Sequence, residues 1–277
     1  MSGSALEVAI LGVGLAGPGL PSWAASRTVL RGEVAYRSEP TVVPAPARLP
    51  PAERRRASPS VRLAMTVADE AVAAAGIDPS TLATVFAASS GEGSNCHALC
   101  ETLAGPDRLI SPTRFTNSVH NAAAGYWHIA VASRAASTSL SAYDASFAAG
   151  LLEAASQCRT DDRAVLLVAF DVEASGALAS VVASEGLLAC ALVLAPSAGS
   201  TSVCTVDWQV ARETVAAPAL RSAAARSLAG NAMAGALPML EAIATADRGD
   251  ASLALPIAPA LALRLTARAI VVAQARP

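Results

Sequence analysis

The stretch Ser139-Leu140-Ser141-Ala142-Tyr143-Asp144-Ala145-Ser146-Phe147 decides the fold class. Thr138–Ala142 reads as a strand and Asp144–Cys158 as a helix, so the chain turns sharply from one into the other at Tyr143. Asp144 is placed to cap the helix N-terminus. Downstream, Ala164–Phe170 and Leu187–Leu194 are continuous apolar runs, which suit strands of a sheet covered on both faces. Upstream, Asn117–Ser133 reads as a helix and Leu82–Ala88 as a strand running into Ser89-Ser90-Gly91-Glu92-Gly93. Ser60–Ala75 carries Val61, Leu63, Ala64, Val67, Ala68 and Val72 at helical spacing, with Gly76 as its stop. Pro40–Pro59 is a Pro- and Arg-rich connector, and Val8–Gly12 opens the chain as a buried strand. Strands alternating with helices predict a layered α/β domain.

The composition narrows the function. Of 277 residues, 53 % are hydrophobic and 15 % charged, where about 25 % charged is ordinary. An apolar excess with few charges favours a buried partner surface in addition to a core. Every basic residue is arginine. The absence of lysine excludes Schiff-base and pyridoxal phosphate chemistry and a phosphate-binding P-loop. A net charge of -2 gives no general field for nucleic acid. The longest uncharged runs, Phe115–Ser133 and Gly186–Val206, are interrupted by polar residues or by proline and glycine, so no membrane span is expected. Glu7 and the lack of a basic start argue against a signal peptide. Five scattered cysteines (96, 100, 158, 190, 204) suit a reducing, cytoplasmic setting. Cys96, His97 and Cys100 lack a second pair at ligand spacing, so no metal, and no other cofactor, is expected.

Three local features could carry chemistry. Gly12-x-Gly14-x-x-Gly17 has the form of a dinucleotide fingerprint, but Pro18, Gly19 and Pro21 fall where its helix would begin. A tight turn leaving the strand is the better reading. At the strand-to-helix turn, a nucleophile would face the positive end of the helix dipole. Tyr143 stands there instead, and a phenol with a pKa of about 10 is a poor nucleophile. Third, Ser111-Pro112-Thr113-Arg114-Phe115-Thr116-Asn117-Ser118-Val119-His120-Asn121-Ala122, running into Gly125-Tyr126-Trp127, gathers aromatic and histidine residues. It reads either as a packed helix with locally satisfied polar groups or as the lining of a pocket or interface.

At these residues the chain resembles the β-ketoacyl synthase superfamily, of thiolase fold, and within it the short chain-length-factor-like proteins of aryl polyene pathways. Val8-Ala9-Ile10-Leu11-Gly12-Val13-Gly14 is similar to the first strand of condensing enzymes. Leu49-Pro50-Pro51-Ala52-Glu53-Arg54-Arg55-Arg56, then Leu63-Ala64 and Glu70-Ala71, resembles their proline-arginine turn and the helix after it. The block Ser111 to Trp127 resembles the Ser-Pro-x-x-Phe-x-x-Ser-Val-His-Asn signature of the short family. Phe147 to Ala154 fits the helix after the active-site turn, and Ser184-Glu185-Gly186 with Leu187–Leu194 the strand closing the N-terminal half. The resemblance implies a thiolase-like layered fold of α-β-α-β-α type with an abridged C-terminal half. Residues 1–196 would form the ketosynthase-like half, and 197–277 a truncated second half packed on the same domain.

The departures from the family carry the functional expectation. Tyr143 lies where an active condensing enzyme has its acyl-accepting cysteine. Gly230-Asn231, followed by Ala234-Gly235-Ala236-Leu237, resembles the family's Gly-His helix with Asn231 in place of a catalytic histidine. The family's lysine is absent, and all three histidines precede residue 130. Claisen condensation needs a thioester nucleophile and donors that stabilise the enolate. The resemblance therefore implies a catalytically inactive chain length factor. It would pair with an active ketosynthase as a heterodimer, meet acyl carrier protein through that complex, and shape an acyl tunnel. Phe115, Val119, His120, Ala122, Ala123, Tyr126, Trp127, Leu140, Tyr143 and Phe147 are the expected tunnel and interface residues, with 117–133, 138–142 and 145–157 the pairing elements. Two alternatives are a stand-alone acyltransferase or thioester hydrolase using Ser146, or Cys96 with His97, and a non-enzymatic scaffold.

Overall fold

The computed structural model of the chain describes residues 6–181 and 184–270. In chain order the elements begin β1 (Leu6–Ala16), α1 (Trp23–Leu30), α2 (Pro51–Arg56), α3 (Pro59–Ala75) and β2 (Ala83–Ala87). Next come α4 (Gly93–Ala104), α5 (Pro112–Thr116), α6 (Ala122–Val131), β3 (Ser137–Leu140) and α7 (Ser146–Thr160). Then follow β4 (Val165–Asp171), β5 (Leu188–Ala195), β6 (Cys204–Ala211), α8 (Ala223–Ser227), α9 (Leu237–Thr245), β7 (Ala251–Ala258) and β8 (Leu261–Arg268).

The strands hydrogen-bond in the order β3-β2-β4-β5-β1-β6-β8-β7. β2 lies parallel to both its neighbours, β3 and β4. All the remaining pairs are antiparallel. β4 and β5 are buried along their whole length. Val165, Leu167 and Ala169 of β4 face a core shared with α7, α1 and α9, while Leu166, Val168 and Phe170 face one shared with α3 and α6. Both faces being covered, both parities of the strand must be apolar, which is why these runs show no alternation.

The layered α/β fold is the one expected. The abridged C-terminal half shows in its layering. Strands β6, β8 and β7 continue the same sheet instead of stacking as a separate second one. β7 nevertheless touches α7, which also lies on β2 and β4. The sheet therefore curls at that end and brings its edge strand round to the helix after Tyr143.

Local chemistry accounts for α3. Ser58 caps it, accepting from the Val61 N–H at 3.3 Å, and Pro59 supplies a pre-set first turn. Gly76 ends it in the left-handed conformation at φ 65°. The glycines of β1 have a different role from either one expected of them. Gly12 and Gly14 lie inside the strand, under α3. A β-carbon on Gly14 would meet the Val67 carbonyl carbon at 2.8 Å with its oxygen closer still, and one on Gly12 would meet the Ala75 nitrogen at 2.9 Å. They permit close helix–strand packing. The tight turn comes later, where Gly17 and Leu20 exchange backbone hydrogen bonds at 3.0 and 2.9 Å.

Other boundaries shift. The helix expected over 117–133 covers only α6, because polar side chains before it bond to nearby backbone instead of continuing the helix. The Asn117 Nδ2 donates to the Arg56 carbonyl at 2.9 Å and the Ser118 hydroxyl to that of Phe115 at 2.8 Å. α4 was not foreseen. It buries only Asn95 and Leu99, so it carries no apolar stripe to read.

Candidate functional site

The strand-to-helix turn stands at the centre of the site. Tyr143 has φ 50°, in the left-handed region where a residue other than glycine is strained. Its side chain is 66 % exposed. Hydrogen bonds on both sides hold this conformation. The Ser146 hydroxyl accepts from the Ala142 N–H at 2.9 Å and donates to the Tyr143 carbonyl at 2.6 Å. Upstream, the Ser141 hydroxyl donates to the Ser89 carbonyl at 2.5 Å. Ser89 in turn donates through its N–H (3.0 Å) and hydroxyl (2.8 Å) to the buried carboxylate of Asp171. Burial pushes the Asp171 carboxyl up to about 6, against the pull of the Ser89 bonds, and the nearby charge of Asp144 adds to the rise.

Two expectations about this turn are corrected. Asp144 does not cap α7; the residue preceding the helix is Ala145, and no side chain caps it. Ser146 closes the turn instead. That duty also removes Ser146 as a nucleophile: it is fully buried and bonded only to backbone groups, with no histidine among its partners.

Tyr143 opens onto a cavity of about 970 Å³. The walls are the 143–145 turn and Ala148, the 214–220 loop, residues 229–235 with Pro238, and Leu255–Pro259 of β7 and its end. Asn231 lies on the same wall system. The structure therefore brings together the two residues that the sequence singles out as replacements, although 88 positions separate them. Asn231 is buried and its amide is fully engaged. Nδ2 donates to the Glu185 and Gly186 carbonyls at 2.9 and 3.4 Å, and Oδ1 accepts from the Met233 N–H at 2.9 Å. Such an amide has no donor left for an enolate. The Thr214 hydroxyl is likewise committed, to the Pro259 carbonyl at 2.7 Å. No cysteine or histidine is among the described residues lining the cavity.

The remaining candidates separate. Trp127 is wholly buried, and Ala122, Ala123 and Tyr126 are buried with it in the core beneath α3. Phe147 belongs to the core on the opposite face of the sheet. For Tyr126 and Trp127 the packed-helix reading of their segment holds, and neither lines the cavity at Tyr143. Phe115 and Val119 are 66 % and 50 % exposed, His120 is exposed, and Leu140 is half-buried at the end of the edge strand β3. Cys96 and Cys100 are exposed on α4, where His97 Nε2 stands 3.4 Å from the Glu101 carboxylate. Among the described residues no cluster of three or more metal-binding side chains forms. No helix among them is long and apolar enough to cross a membrane. The wall formed by 214–220 and 255–259 is the part sequence reasoning missed. Its signal, four prolines within residues 218–259, is compositional and gives no hint of where the chain folds back.

Comparison with known proteins agrees with this architecture. The chain is similar in fold to the ketosynthase ApeO in complex with its chain length factor ApeC from Xenorhabdus doucetiae. The identity is 24 %, over 94 % of this chain and 99 % of that one, with a TM-score of 0.68. A type II polyketide synthase ketosynthase complexed with its acyl carrier protein, AntDE:AntF, gives a TM-score of 0.76 at 12 % identity, over 96 % and 100 % of the two chains. The ishigamide ketosynthase/chain length factor gives 0.69 at 14 % identity, over 95 % and 99 %. At these identities the likeness is one of fold. No curated protein matches the sequence. The family model for the β-ketoacyl synthase N-terminal domain matches residues 23–253, most of the chain, and to that family the protein belongs.

Proposed function

We propose that the chain is a non-condensing partner of an active ketosynthase, a chain length factor that shapes the acyl tunnel of a type II polyketide or aryl polyene pathway in the cytoplasm. One observation carries this reading: Tyr143 occupies the strained turn before α7 and shares its cavity with an Asn231 whose amide is already spent. Condensation would need a thiolate and two free donors there. The pairing surface is proposed to include β3, the edge strand at one end of the sheet, with its Leu140 and the following Tyr143, and the exposed Phe115, Val119 and His120. Acyl carrier protein is met through the complex. Ala122, Ala123, Tyr126 and Trp127 are buried in the core on one face of the sheet and Phe147 in the core on the other, so they are left out of that surface.

Co-expression with a neighbouring ketosynthase tests this, with copurification as the readout. Leu140→Arg places a charge in a desolvated contact, at a cost of several kcal/mol, and copurification should fail while the chain stays folded. Unaltered pairing would show that the surface is wrong. Decarboxylation of malonyl-carrier protein by the purified chain, free of ketosynthase, would overturn the assignment as inactive.

A further inference from the structure

The cavity at Tyr143 has a character of its own. Alanine, valine, leucine, isoleucine and proline make up most of its walls. Four of the lining residues, Pro218, Pro238, Pro256 and Pro259, have no N–H to offer, so the walls are poor in the backbone donors that cradle anions. The start of α7 would ordinarily attract negative charge. Here it carries Asp144, the one carboxylic acid, and the one acidic or basic side chain, among the described residues lining the cavity. Asp171 lies behind it, close enough for the two carboxylates to interact. The size suits a ligand of several dozen atoms at most.

We infer that this cavity is a binding site on the chain itself for an uncharged acyl chain, and that Asp144 at its mouth excludes free carboxylates. Each methylene taken from water into such walls favours binding roughly fourfold. A carboxylate held at the mouth would face Asp144 with no arginine among the described lining residues to compensate. An acyl group in ester or thioester linkage carries no such charge. The choice of an acyl chain rests on the proposed role; the discrimination against anions rests on the walls and Asp144.

The test uses a fluorescent polyene, trans-parinaric acid, and its methyl ester, titrated at pH 8 into the full chain or its complex. The ester should bind at least tenfold more tightly than the acid. Asp144→Asn should strengthen acid binding at least fivefold and leave the ester within twofold. Ala217→Trp, at an exposed position on the wall, should weaken the ester at least fivefold. Acid binding within threefold of the ester on the native chain would overturn the inference. So would an unchanged preference in Asp144→Asn, or an ester affinity untouched by Ala217→Trp. Pairing is read by copurification, so failure here and failure of the proposed role give different results.

Discussion

Three glycine-to-alanine substitutions should differ in size, and one of them in sign, because the same methyl group meets three different surroundings. At Gly14 the new β-carbon would stand 2.8 Å from the Val67 carbonyl carbon and 3.1 Å from its Cα. Carbon atoms rest at about 3.5–4.0 Å, so α3 would have to retreat by about 1 Å. That helix buries nine residues, and moving it loosens contacts to β1, β4, β5 and α6 together. Overpacking of this kind costs about 1–3 kcal/mol and sometimes more, while the stiffer unfolded chain returns about 0.4–1 kcal/mol. A net loss of about 1–2 kcal/mol follows, or a fall of about 2–8 °C in Tm for a chain of this size. Gly76→Ala meets nothing within 4 Å but must hold φ 65°, which costs about 1 kcal/mol. Gly125→Ala also meets nothing, within α6 at an unstrained φ, and should stabilise by about 0.5–1 kcal/mol. Urea denaturation of the three variants beside the parent measures all of this. A Gly14→Ala protein as stable as Gly125→Ala would refute the account of why β1 carries its glycines.

Three further outcomes are expected. Asp171 is protonated more readily in the fold than in the unfolded chain, so its contribution is complete below pH 3.8 and is lost as pH rises through about 6, amounting to about 3 kcal/mol. Asp171→Asn should flatten the stability curve between pH 4 and 7, and denaturation series of equal slope would contradict this. Trp127→Ala should cost about 3–5 kcal/mol, whereas Trp127→Phe should cost far less because the indole N–H has no partner to lose among the described residues; thermal melts distinguish them. Tyr143→Gly should be about 1 kcal/mol more stable than Tyr143→Ala, since only glycine relaxes at φ 50°, and equal melting points would mean that the turn is not strained.

The parts of this fold that could be read in advance are those governed by neighbours in sequence. β4 and β5 announce themselves as unbroken apolar runs, and α3 by its stripe between Ser58 and Gly76. The strand-to-helix turn at Tyr143 was legible for the same reason. What escaped depends on contacts far along the chain. Gly12 and Gly14 take their meaning from Val67, Ala71 and Ala75, so of the three glycines in the motif only Gly17 stands in the turn expected of them. Asp144 stands where a cap would be read, but it is Ser146, accepting from Ala142, that closes the turn. Asn231 could be matched to a family position by resemblance, yet its spent amide depends on carbonyls at 185 and 186. The cavity needed β7 to curl round to α7, which no pattern in Ala251–Ala258 reveals.

β1 sets a timetable for the protein's synthesis. It lies between β5 and β6, yet both partners leave the ribosome about 170 residues or more after it. At ordinary translation rates of roughly 5–20 residues per second, an eleven-residue apolar strand waits about 10–40 s with neither edge paired. α3, seated on Gly12 and Gly14, and α1 are both made early and can cover its two faces in that interval, but neither supplies an edge partner. A nascent chain of this protein is therefore exposed to chaperones and to aggregation until β5 and β6 have been made, and slowing translation before Leu188 should lower the soluble yield.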